Sequence, residues 1–202
     1  MTHLDPNTTG LARRDFLKVS ATAAAGMSLG FFWPTHGNAA ETPKLNAWIE
    51  IQTDDTVIIR YARTEMGQGS RTSAPMLVAD ELEADWKKVR IEYATAHENL
   101  RTKRAYGDMA AVGSRTIRNS QEYLRKAGAT AREMLIAAAA AQWGVPASEC
   151  TAALGKVSHA ASKRSLSYGK LAAAAAKLEA PKDVKLKDPK DWKIIGKSLP
   201  RV

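Results

Sequence analysis

The chain has 202 residues, 45% hydrophobic, 25% charged and 6% aromatic, with a formal net charge of +9. This composition excludes wholesale disorder and collagen-like repeats and allows one or two domains with a real core. Its single cysteine, Cys150, excludes an intrachain disulfide, a thiolate zinc cluster or an iron–sulfur centre held by this chain alone.

The first element in chain order reads as an export signal over residues 1–40. Arg13-Arg14-Asp15-Phe16-Leu17-Lys18 precedes an apolar run from Val19 to Phe32. As a helix, that run would span about 21 Å, short of the roughly 30 Å hydrocarbon core of a bilayer. His36-Gly37-Asn38-Ala39-Ala40 then offers small residues for signal-peptidase cleavage. The pattern resembles a twin-arginine signal and predicts a periplasmic protein. That pathway carries folded proteins, often with a cofactor already inserted.

Beyond residue 40, Leu45 to Gln52 alternates apolar and polar residues and predicts a strand with Ala47, Ile49 and Ile51 on one face. Thr53-Asp54-Asp55-Thr56 is a turn, and Val57 to Ala62 returns as the second strand of a hairpin. The glycine-containing loop Glu65–Ser70 leads into a helix from about Thr72 to Leu82, with Ser70 or Thr72 as cap and Pro75 near its start. The acids Asp80, Glu81, Glu83 and Asp85 read as its solvated end. Val89 to Tyr93 predicts a third strand, and residues 94–114 a long polar loop.

The longest helix runs from Thr116 to Trp143, with Ser114 or Thr116 as cap and Gly144 and Pro146 beyond its end. Cys150–Leu154 and Val157–His159 predict a short hairpin, and Tyr168 to Leu178 a last helix with Ser167 as cap. Residues 181–202 have no periodicity and read as a connector toward another domain. Residues 177–202 hold eight Lys or Arg against four Asp or Glu. The two signs alternate without an aromatic platform, which describes a solvated segment and argues against a nucleic-acid partner. The predicted fold class is α+β, a small sheet of early strands packed by helices.

Two loops could carry chemistry. Gly67-Gln68-Gly69 lies between a strand and a helix, where glycines permit close backbone approach and the helix start offers free N–H groups to an anion. A tight strand–helix turn would want the same glycines, and the third glycine of a dinucleotide fingerprint is missing at Arg71 and Thr72. Gly113-Ser114-Arg115-Thr116 precedes the long helix in the same way. Two such loops in one small domain suggest a long ligand with more than one phosphate or polar group. His97 and His159 lack metal-ligand spacing, and no Ser–His–Asp arrangement or paired-carboxylate site is recognisable. No residue of this chain is assigned a catalytic or metal-binding role.

Glu65-Met66-Gly67-Gln68-Gly69-Ser70-Arg71-Thr72, Val78-Ala79-Asp80-Glu81-Leu82-Glu83, Gly113-Ser114-Arg115-Thr116 and Arg125 to Arg132 together carry a resemblance. The chain resembles the molybdopterin-binding subunit of the xanthine dehydrogenase and aldehyde oxidase family, of the isoquinoline 1-oxidoreductase β-subunit type that includes exported aldehyde dehydrogenases. The resemblance implies a molybdenum–pterin cofactor, in its cytosine dinucleotide form, that oxidises aldehydes or N-heterocycles with oxygen from water. It implies contact of Gly67, Gln68 and Gly69 with the pterin or its pyrophosphate, and of Ser114, Arg115 and Thr116 with the same cofactor. It also implies partners: the remaining molybdopterin-subunit segment, a small [2Fe-2S] subunit and a cytochrome c, with iron–sulfur clusters and haem only on those partners, and membrane association through one of them. Family members run to several hundred residues, and their later glycine-rich loops and general-base glutamate have no counterpart here. The expectation is therefore a partial molybdopterin-binding domain over 41–180, in a fragment or split subunit inactive in isolation. The alternative is a non-catalytic exported interaction or assembly protein that keeps the fold.

Overall fold

The computed structural model describes residues 44–202. The predicted signal over residues 1–40 lies outside them.

The segment expected to be one strand forms two, β1 (Lys44–Asn46) and β2 (Ile49–Ile51), paired antiparallel. The Asn46 side chain causes the break: its Oδ1 accepts the Trp48 N–H at 2.9 Å, folding the chain back within two residues. The next hairpin forms as expected. β3 (Val57–Tyr61) pairs antiparallel with β2 around a turn in which Asp54 Oδ1 accepts the Thr56 N–H at 2.9 Å.

Helix α1 (Ser70–Leu82) then carries the chain over to β4 (Val89–Tyr93), which pairs parallel with β3, Val57 opposite Val89 and Tyr61 opposite Tyr93. This βαβ unit closes a four-stranded sheet of order β1-β2-β3-β4. The expected side-chain caps of α1 do not form. Gly69 takes the cap position with φ 78°, and Ser70 is buried as the first helical residue.

The long loop expected over 94–114 contains a helix, α2 (Ala96–Arg101). Thr95 Oγ1 accepts the Glu98 N–H at 3.0 Å and starts it. The long helix is interrupted: α3 (Arg115–Arg118) is a single turn, and α4 (Gln121–Trp143) follows after Ser120, whose Oγ bonds back to the Thr116 carbonyl. Neither Ser114 nor Thr116 caps through its side chain; Ser114 sits at the α3 start with φ 60°.

The second hairpin gains a strand. β5 (Cys150–Ala153), β6 (Lys156–His159) and β7 (Arg164–Ser167) form an antiparallel sheet. Helix α5 (Tyr168–Ala175) follows, shorter than expected and without a cap bond from Ser167.

The main core lies between the first sheet, α1, α4 and α5, around Ile49, Ile51, Ile59, Leu82, Leu135 and Leu171. Helices α1 and α4 cross at Gly128, where a Cβ would stand 2.4 Å from the Val78 carbonyl oxygen. Only glycine permits that approach. Tyr168 is fully buried, and its hydroxyl donates to the Leu82 carbonyl at 2.7 Å, joining α5 to the end of α1.

One expectation about charge is corrected. Asp80 and Glu81 are not solvated; they are 1% and 0% exposed. The segment after α5, mostly exposed, also touches the domain. Residues 185–202 lie along α1 as a strap, held largely by those two carboxylates. Asp80 accepts the backbone N–H groups of Lys193, Ile194 and Ile195 at 3.1, 2.9 and 2.8 Å, and the Lys187 ammonium at 2.8 Å. Glu81 pairs with Arg125 at 2.7 Å and accepts the Lys187 N–H at 3.2 Å, while Arg125 stacks 5.4 Å over the Trp192 ring. A buried carboxylate requires such donors, because burial without them would force it neutral. Burial opposes the charge on Asp80, yet the Ile195 and Ile194 N–H groups and the Lys187 ammonium outweigh it and hold its pKa below the usual range.

Candidate functional site

The C-terminal ends of parallel strands are where open α/β sheets receive ligands, because the connecting loops and helix starts converge there. Here that end is marked by Tyr61 and Tyr93, edge to face with ring centroids 5.5 Å apart. Tyr61 is buried, and its hydroxyl shares a 2.6 Å hydrogen bond with Ser70 Oγ. Burial pushes the Tyr61 phenol above its ordinary pKa despite that bond, so it stays protonated at neutral pH. β3 is thereby fastened to the first residue of α1, and the intervening loop is stretched over the strand end.

That loop is built around Glu65. Its carboxylate accepts the N–H groups of Gly67 at 2.8 Å, Gly69 at 3.0 Å and Arg71 at 2.7 Å. These bonds, those to Arg71 and Gly69 foremost, lower the Glu65 pKa. Two of the three donors require backbone that glycine adopts readily, with φ 100° at Gly67 and 78° at Gly69. Gln68 folds inward over the same ring. Its Nε2 donates to the Thr64 carbonyl at 2.8 Å and to Ser70 Oγ at 2.7 Å, and its Oε1 accepts the Met66 N–H at 2.6 Å.

The expected anion cradle at the α1 start is therefore filled from within. Sequence reasoning identified the loop but missed the role of Glu65, which stands one helical turn ahead of the helix and supplies the negative charge its N-terminus favours. A phosphate does not fit those N–H groups while the carboxylate is there. What stays open is the outer face of the loop: Gln68 is exposed, and a Cβ built on Gly67 or Gly69 would meet nothing within 4 Å.

The second loop approaches the first through Arg63, just after β3. Its guanidinium, 9% exposed, donates to Asp108 Oδ1 at 2.5 Å and to the Ala110 carbonyl at 2.7 Å. Asp108 also pairs with Arg115 at 2.9 Å, and α3 packs against α1. One arginine thus ties the segment holding Ser114, Arg115 and Thr116 to the strand that feeds the Gly67–Gly69 loop. Within it, Ser114 is exposed, Arg115 half-buried and Thr116 buried. Ser114 and Arg115 can face a ligand, whereas Thr116 is turned into the protein. His159, by contrast, is buried on the second sheet, its ring nitrogens 2.7 Å from Ser162 Oγ and 3.0 Å from Glu149. It takes no part in the site.

Comparison with known proteins adds four findings. A family model described as a molybdopterin cofactor-binding domain matches residues 11–197. The chain is 37% identical over 175 residues to the isoquinoline 1-oxidoreductase subunit beta of Brevundimonas diminuta, a match covering 83% of this chain and 22% of that one. It is 32% identical over 175 residues to a membrane-bound aldehyde dehydrogenase of Gluconacetobacter polyoxogenes, named with pyrroloquinoline-quinone, covering 81% and 21%. Among solved structures, a copper- and molybdenum-containing CO dehydrogenase aligns with a TM-score of 0.50 and 20% identity, covering 62% of this chain and 15% of that one, a likeness of fold. The chain thus spans about a fifth of the length of these curated relatives.

Proposed function

The chain belongs to the molybdopterin cofactor-binding domain family, and from that membership we propose that it supplies part of the wall of a molybdopterin site in a larger oxidoreductase. The observation that carries the reading is the position of the Glu65–Ser70 loop, rigidly held at the C-terminal end of the parallel β3–β4 pair with its outer face open. Gly67, Gln68 and Gly69 would hold the cofactor from that face, where bare glycine backbone lets a flat ring or a phosphate oxygen approach closely. Ser114 and Arg115 would hold it from the second loop, Arg115 offering positive charge to a dinucleotide pyrophosphate. When bound, the cofactor supplies the redox centre for oxidation with oxygen derived from water.

Aldehydes or N-heterocycles are the proposed substrates, and the cytosine dinucleotide the proposed cofactor form. The rest of such a subunit, a [2Fe-2S] subunit and a cytochrome c are the proposed partners. The single cysteine supports this division, since electrons leaving the cofactor need a carrier this chain does not hold. The Arg13-Arg14 signal supports a periplasmic location, which cell fractionation tests directly.

The deciding experiment purifies the chain with and without its co-expressed neighbours and measures molybdenum and dinucleotide content. Cofactor retained in the assembly supports the proposal; a folded assembly with none refutes it and favours the non-catalytic alternative. Gly69→Val sharpens the test, because a β-branched residue at φ 78° distorts the loop. The expected result is loss of molybdenum from an assembly that still forms.

A further inference from the structure

A second concavity opens beyond the C-terminal end of α1. The strap that walls it runs back to the helix start, where the Arg71 guanidinium donates to the Val202 carbonyl. This cavity has a volume of about 470 Å³ and forms between the turn after α1 and the C-terminal strap. That volume falls within the roughly 300–1,000 Å³ of small-molecule sites. Its lining includes the apolar Trp86, Leu154 and Leu199 and the cations Lys87, Arg90 and Arg201. Trp86 is fixed in place by donation from its Nε1 to the Pro200 carbonyl at 2.9 Å. Leu154 is 71% exposed, although it stands on a hairpin turn where a polar residue would cost nothing.

The charges in the cavity are unequal. Asp80 and Glu83 face it but are neutralised within the protein, Asp80 by Lys187 at 2.8 Å and Glu83 by Lys187 at 2.7 Å and Lys193 at 2.9 Å. Asp85 caps the following 3-10 turn, accepting the Lys87 N–H at 3.0 Å, and forms no ion pair among the described residues, so one unpaired acid stands against the cations. Among the described residues, Lys87, Arg90 and Arg201 form no ion pair. Apolar side chains beside three cations without an ion-pair partner, with Arg90 donating to the Lys87 and Val89 carbonyls at 3.1 and 2.8 Å, complement one kind of ligand. We propose that this cavity binds a free single-chain amphipathic anion, a medium-chain carboxylate or its sulfonate analogue, with the tail on Trp86, Leu154 and Leu199 and the headgroup among Lys87, Arg90 and Arg201. Binding there does not rest on the function proposed for the Gly67–Gly69 loop.

The test titrates the isotopically labelled full chain with sodium decanoate below its micellar range and follows amide and indole resonances by NMR. A parallel titration uses decyltrimethylammonium, which has the same tail and the opposite charge. The expected result is a saturable shift confined to the Trp86 indole and the amides of Lys87, Leu154 and Arg201, absent with the cation. Leu154→Asp and Arg90→Glu both alter exposed side chains and should keep the thermal midpoint while weakening decanoate binding by about tenfold or more, since like charges meet in the site. Equal binding of both detergents, shifts spread over the surface, or undiminished affinity in the two variants would overturn the proposal. So would no response to decanoate, or association only with phosphatidylglycerol vesicles, which would make the patch a membrane contact.

Discussion

Replacing Asp80 with alanine tests whether buried charge holds the strap on α1. The substitution removes the acceptor of three backbone N–H groups, at Lys193, Ile194 and Ile195, and of the Lys187 ammonium. Lys187 is not orphaned, because Glu83 remains 2.7 Å away. The loss falls mainly on the three amides, of which Ile194 is the most buried. Removing one partner of a buried charged network destabilises by about 3–5 kcal/mol, and the surviving Lys187–Glu83 pair places this case near the lower bound. About 3 kcal/mol corresponds to more than a hundredfold in the opening equilibrium of the strap, out of a total stability of about 5–15 kcal/mol. Amide exchange at Ile194 and Ile195 should accelerate by that factor in Asp80→Ala, while amides in β3 and α4 accelerate little or not at all. The pH dependence has a definite sign. The folded pKa of Asp80 lies below its unfolded value, so its contribution is present above the unfolded pKa, about 3.9, and disappears as pH falls through the folded value. Wild-type protein should release the strap in acid, and the variant should show no such limb. Unchanged exchange at Ile194 and Ile195 in a folded Asp80→Ala protein would refute the reasoning.

Three further outcomes are expected. Gly128→Ala drives a methyl group to 2.4 Å from the Val78 carbonyl, and the resulting overpacking should lower stability by about 1–3 kcal/mol in denaturant titration. Tyr168→Phe removes the hydroxyl that donates to Leu82 and leaves a buried carbonyl unpaired, which should reduce stability by about 1–2 kcal/mol without altering the fold. Glu65→Gln withdraws the carboxylate from the Gly67, Gly69 and Arg71 amides, so those amides should exchange faster at neutral pH. The wild type should approach the variant only below the depressed Glu65 pKa.

The sequence revealed those parts of the fold whose signals are local. The Asp-Asp turn, the β-branched run of β3 and the glycine loop ahead of α1 each carry their cause within a few residues. The α2 start was equally local, Thr95 and Glu98 standing at capping distance, but a polar, glycine-ended stretch masked it. β7 was hidden for a different reason. Arg164 and Ser165 are exposed, so no alternation marks the strand, and only pairing with β6 makes it one. Asp80 and Glu81 were misread because a run of acids ordinarily marks solvent, and their partners lie 44 to 115 residues away. A trace was available: Arg125 and Arg132, seven apart on one face of α4, needed acids to face. At the site, sequence found both loops, while the inward turn of Thr116 and the filling of the α1 start by Glu65 depend on side-chain direction.

Glu65 and Asp80 perform the same task at opposite ends of one helix. Each is a carboxylate that gathers three backbone N–H groups, Glu65 from the loop entering α1 and Asp80 from the strap crossing its last turn. Between them the helix is pressed against α4 at Gly128, so neither end can shift without breaking charged hydrogen bonds or opening the core. A loop held this way loses little conformational freedom when a ligand meets it, and less of the binding energy is spent on ordering. The same constraint explains why the N–H groups at the α1 start are given to Glu65 instead of a ligand. They set the loop's shape, and the exposed Gln68 and the bare faces of Gly67 and Gly69 are what that shape presents.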